Sequence, residues 1–145
     1  MKFYKRLDNR FESWHNIVMI YEVLNTPKKL DTAMLDKAVS FACEYLDLDV
    51  DLTIEFESLK RHQCGFCDYD DDEVIVTIAK RLSLREMLVT LFHEMIHVHQ
   101  YASGRLEHGS KWLGKVYKCA YEDLPWEIEA HELESVMMAQ FEMEK

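Results

Sequence analysis

Hydrophobic spacing along the chain outlines seven elements. Residues 8–24 place Phe11, Trp14, Ile17, Val18, Tyr21 and Leu24 at the three- and four-residue intervals of an amphipathic helix. Asn25-Thr26-Pro27 ends it, because proline cannot continue a helix and disfavours one just before it. Residues 32–46 repeat the helical spacing with Leu35, Ala38, Phe41, Ala42 and Tyr45 inward and Asp31 or Thr32 as cap. Three short β segments follow. Residues 52–56 alternate apolar and polar side chains, residues 63–69 read as a middle strand, and residues 73–79 carry Val74, Ile75, Val76 and Ile78. The acidic run at 68–72 reads as the last hairpin turn, so the expectation is an antiparallel meander of about three strands.

Ser83-Leu84-Arg85-Glu86 is a capping box, in which hydroxyl and carboxylate each satisfy a free N–H at a helix start. Met87, Leu88, Leu91, Phe92, Met95 and Ile96 continue that helix until Gly104, at the usual place of a C′ glycine. Pro125 fits the first turn of a last helix reaching to about Met143, with Val136, Met137, Met138 and Phe141 as core material. The expected fold class is α+β: two N-terminal helices, a three-stranded antiparallel sheet, the capped helix and a C-terminal helix, in one domain over 1–145.

Composition narrows the function classes. With 145 residues, 48% of them apolar, and only four Gly and two Pro, the chain has the makings of one packed core. A net charge of −10 repels nucleic acid and anionic lipid, so neither is the expected partner. No apolar run reaches the roughly 18 residues of a membrane span. The basic start Met1-Lys2-Phe3-Tyr4-Lys5-Arg6 has no apolar stretch behind it, so the expected location is cytoplasmic, with Cys43, Cys64, Cys67 and Cys119 reduced.

The chemistry concentrates in His93-Glu94-Met95-Ile96-His97. Histidines four residues apart lie about 40° apart around a helix and one turn along it, so both imidazoles can meet one ion. Glu94, beside His93, can take the proton of a water that such an ion has acidified. Three polar groups in a strongly apolar helix would otherwise be costly to bury. A catalytic zinc needs a third protein ligand and an open position. Two places offer one: His108 in His108-Gly109-Ser110-Lys111-Trp112, and a carboxylate in Pro125-Trp126-Glu127-Ile128-Glu129-Ala130.

These residues carry a resemblance. His93-Glu94-x-x-His97, ten intervening residues and His108-Gly109-x-x-Trp112 resemble the SprT-like metalloproteases, whose third ligand is a His followed by Gly. The longer pattern adds Gln100, Gly104-x-Leu106, Trp112-x-Gly114, Tyr121 and the 125–130 stretch. It resembles small phage and bacterial zincins close to the minimal gluzincins, whose third ligand is a Glu on the following helix. That Glu has a small residue three positions on and a polar one four on. Glu127 fits, with Ala130 and His131; Glu129 would put Leu133 at the fourth position and points to another side of the helix.

The resemblance therefore implies a zinc metallopeptidase of the HExxH type, with His93, His97 and Glu127 holding Zn2+ and His108 as the alternative third ligand. It implies a peptide or protein substrate, Glu94 as general base, and a zincin core whose sheet edge, taken as residues 73–79, borders the cleft. His131 is a group to orient a ligand, and Tyr117, Tyr121 and His131 are candidates for stabilising an oxyanion. The rival expectation is a metal-stabilised binding or regulatory protein that hydrolyses nothing. His99, two residues past His97, falls on the opposite, surface side. Cys64-Gly65-Phe66-Cys67 reads as plain strand cysteines, and Asp68-x-Asp70-x-Asp72 lacks the Gly and Glu of a calcium loop.

Overall fold

The computed structural model describes residues 21–71 and 73–144. It is mixed α and β, as expected, but the sheet differs from a meander. Strands β1 (Tyr21–Leu24), β2 (Leu52–Glu57), β3 (Gly65–Tyr69) and β4 (Val74–Ala79) form one sheet in the order β1-β2-β4-β3. β1 and β2 are parallel, β2 and β4 are parallel, and only β3 runs antiparallel to β4. The chain leaves β2, passes over the place β4 will take, and returns through the hairpin. β4 is the centre because Val74-Ile75-Val76-Thr77-Ile78-Ala79 is apolar on both faces and all but Ile75 is buried. β3 alternates half-buried and exposed positions and lies at the edge. Residues 73–79 are thus not the edge strand, and residues 63–69 are not the middle one.

β1 replaces the end of the first expected helix; the rest of that helix lies outside the described residues. Tyr21 and Val23 are buried while Glu22 and Leu24 are only half-buried, a period of two. Over four residues the 21/24 pair imitates helical spacing, and pairing with β2 decides the matter.

Helix α1 (Thr32–Tyr45) starts where Asp31 accepts from the Ala33 N–H. Helix α2 (Leu84–Ala102) carries the capping box, with Ser83 Oγ accepting from Glu86 N and Glu86 accepting from Ser83 N. It ends at Ser103 and the left-handed Gly104, φ 79°. Helix α3 (Pro125–Glu144) packs along α2. The core joins Leu52, Ile54, Phe56, Val76 and Ile78 of the sheet to Leu91, Phe92, Met95 and Ile96 of α2 and Met137 and Phe141 of α3. Because this apolar face of α2 is taken, its His93/His97 face is turned toward α3.

Between α2 and α3 the chain forms a small sheet that the hydrophobic pattern does not announce. Its strands are β5 (Leu106–Glu107), β6 (Lys111–Trp112) and β7 (Lys115–Val116), all antiparallel. Leu106, Trp112 and Trp126 form a second apolar cluster under it. A 3-10 turn, Tyr121–Asp123, leads into α3. Of the acidic run, Asp68 belongs to β3, and Asp70 closes the hairpin to β4 through reciprocal backbone bonds with Glu73. All four cysteines are unpaired. No helix among the described residues is long and apolar enough to cross a membrane.

Candidate metal centre

Two polar ladders face each other between α2 and α3. On α2, His93, His97 and Gln100 stand at i, i+4 and i+7; on α3, Glu127, His131 and Glu134 repeat that spacing. His93, His97 and Glu127 converge. His93 Nε2 lies 3.0 Å from Glu127 Oε1, His97 Nε2 lies 3.1 Å from Glu127 Oε2, and the two Nε2 atoms are 3.1 Å apart. All three residues are buried. Pro125 starts α3 so that Glu127 falls in its first turn, where the helix dipole favours a carboxylate.

The outer ring nitrogens are committed elsewhere. His97 Nδ1 donates to Gln100 Oε1 at 2.8 Å, and His93 Nδ1 donates to Glu134 Oε1 at 3.0 Å. Each ring therefore turns Nε2 inward. Two inward nitrogens 3.1 Å apart, facing one carboxylate, are stable only around positive charge, supplied by a proton or by a metal ion. For His93, burial opposes protonation, but Glu127, Glu134 and Glu94 outweigh it and push its pKa up to about 10. His97 is also raised: burial lowers it, and Glu127 and Glu94 more than offset that. Burial would raise Glu127, yet bonds from His93, His97 and Tyr121 hold it far below the usual carboxylate range.

The donor set also fits a metal. Ligand atoms at tetrahedral zinc stand about 3.3 Å apart, close to the separations here. These buried His and Glu groups, their ligand atoms within 4.8 Å of one another, can hold a metal ion.

Glu94 is buried beside the triad. Desolvation raises its pKa, although His97 and His93 pull it down. It lines two adjoining cavities, of about 240 Å³ and about 620 Å³, which share Gly65, Glu94 and Tyr121. The smaller is walled by Phe66, Tyr101, Leu106 and Trp126; the larger opens along His93, His131 and Glu134.

The remaining residues singled out in the sequence separate clearly. His108 is not brought to the triad: its Nε2 donates to the Tyr69 carbonyl at 3.0 Å, and its ring lies on Tyr101. Glu129 is also elsewhere, held by Arg105 at 2.7 and 2.9 Å and by Gln100 at 3.0 Å. Tyr117 packs on Trp126 and lines neither cavity. Tyr121 lines both and donates to Glu127 Oε1 at 2.6 Å, and His131 lines the larger. His99 faces away from the triad but is half-buried against the Leu46 backbone rather than at the surface.

One supporting residue has no place in the sequence pattern: Glu134, which carries His93. Gln100 belongs to that pattern, but the structure adds its role: fully buried, it donates to both the Trp126 carbonyl and Glu129 while accepting from His97. The signal for Glu134 was the repeated i, i+4, i+7 ladder. No protein-family model matches the chain, and no curated protein matches it.

Proposed function

We propose that this chain is a zinc-dependent metallopeptidase of zincin-like fold. The observation that carries the reading is the buried convergence of His93, His97 and Glu127 beside Glu94. Bound by His93, His97 and Glu127, zinc would supply a Lewis acid for the scissile carbonyl and acidify a water. Glu94 takes a proton from the attacking water and returns it to the leaving amine; burial raises its pKa towards what a base working near neutrality needs. Tyr121, whose side chain lines both cavities, is the donor best situated toward a developing oxyanion. β3 is an edge strand, and its Gly65, Phe66 and Cys67 line the smaller cavity beside Glu94. An extended peptide would add there as a fifth strand.

The test is cleavage of a peptide library by the zinc-loaded chain, with and without chelator. Chelator-sensitive cleavage is expected, and Glu94→Gln should keep zinc while losing turnover by at least about a hundredfold. Unchanged turnover in Glu94→Gln overturns the mechanism.

One observation favours a second reading, a metal-stabilised binding protein. Tyr121 stands in both cavities with its hydroxyl on Glu127, the position of a plug. Loss of thermal stability on chelation, with no cleavage by wild type or Tyr121→Ala, would establish that reading.

A further inference from the structure

α3 carries more ligand atoms than the triad uses. One turn beyond Glu127, His131 Nδ1 lies 2.8 Å from Glu134 Oε1, and His93 Nδ1 meets the same oxygen at 3.0 Å. The ligand atoms of His93, His131 and Glu134 all fall within 4.8 Å of one another. His131 and Glu134 line the 620 Å³ cavity, where His62 and Cys64 offer further donors.

We propose a second, weaker divalent-cation site of the zinc class here, held by His131 Nδ1 and the Glu134 carboxylate. His93 is shared in outline only: Nε2 belongs to the triad, and Nδ1–H needs one Glu134 oxygen. A carboxylate accepts at two oxygens, so Glu134 can hold His93 through Oε1 and an ion through Oε2. At 2.8 Å from Glu134 Oε1, His131 Nδ1 stands as an N–H donor, and an ion enters when that proton leaves and the exposed ring turns toward Oε2, opening to the roughly 3.3 Å that two ligand atoms on one ion need. Replacing that proton by a metal ion leaves both groups matched. An imidazole with a carboxylate suits zinc, cobalt or nickel better than calcium or magnesium, which prefer oxygen alone. Two protein ligands instead of three, one on a side chain that is 58% exposed, make this site the weaker, by about a hundredfold or more.

An ion there occupies the cavity on the His93 side of Glu94. Resting on the peptidase reading, zinc beyond one equivalent therefore slows turnover by filling space a substrate needs.

The experiment is a zinc titration of the metal-free 145-residue chain, counting bound equivalents by calorimetry and by competition with a chromophoric chelator. Two equivalents are expected in wild type. His131→Ala and His131→Gln should keep the tight one and lose the weak one, and both should be relieved of inhibition by excess zinc. The exposure of His131 makes misfolding of these variants an unneeded explanation, which their melting curves check. A single equivalent in wild type, or two in His131→Ala, overturns the second site. If Glu127→Ala still binds the tight equivalent, the triad reading fails while the second site stands.

Discussion

His93 and His97 belong to one five-residue motif, yet their surroundings are built on opposite principles. His97 leans on a neutral amide: Gln100 is fully buried, tied to the Trp126 carbonyl and, through Glu129, to Arg105. His93 leans on a charge: Glu134 stands at the wall of the larger cavity, and His131 meets the same carboxylate oxygen. The amide gives a fixed direction and no field. The carboxylate raises the basicity of its ring and remains adjustable from the cavity. The triad therefore has a rigid end and an electrostatic end.

That contrast yields a graded set of outcomes. Glu127→Ala removes the group common to both histidines, so its loss of zinc affinity should exceed the roughly 10- to 100-fold that outer partners are worth. A loss no larger than that of Glu134→Gln would mean the two ends do not meet at Glu127. Gln100→Leu comes next. It strands the buried His97 N–H and takes one donor each from the Trp126 carbonyl and Glu129, so about 1–3 kcal/mol of folding stability should go with a 10- to 100-fold affinity loss. Glu134→Gln keeps an acceptor and removes only the charge. Here zinc affinity should drop about 10-fold with little change in melting temperature, and a melting loss like that of Gln100→Leu would erase the distinction.

Acidity sharpens the comparison further. The His93 pKa rises from 6.5 to about 10 in the fold, so protonated His93 stabilises the metal-free chain fully below pH 6.5. That contribution is lost as pH climbs towards 10, while zinc binding no longer has to displace the proton. The gain in melting temperature on adding zinc at constant free concentration should therefore grow from pH 6.5 to 9.5; a flat profile contradicts a charge-supported His93. The smallest effect belongs to Arg105→Met. Its ion pair with Glu129 is about one-third exposed, and less than about 1 kcal/mol should reach either stability or zinc affinity.

Much of the site was legible because it sits on helices, where spacing maps directly onto direction. The capping box, Gly104 and Pro125 placed α2 and α3 within a residue or two, and with them His93, His97 and Glu127. Glu134 was harder: it reads as one more acidic helix residue until α3 is laid against α2. The sheet was less legible. A strand's place depends on which partners claim its two edges, and those lie far away in sequence, as the parallel pairing of Tyr21–Leu24 with Leu52–Glu55 shows. His108 shows the limit of spacing within a loop. Its distance from His97 suits a ligand, but β5 and β6 carry it to the Tyr69 carbonyl instead.

Gly65 draws the last consequence. A methyl group on it would sit 2.5 Å from the Thr77 carbonyl oxygen and 2.7 Å from the Thr90 methyl, so β3 lies against β4 and α2 only because nothing projects there. Gly65 also lines both cavities beside Glu94. The gap between the free strand edge and Glu94 is thus gauged by a residue with no chemistry of its own. Laboratory evolution of this cleft should find its reactive positions easy to recognise and its least reactive one hardest to change.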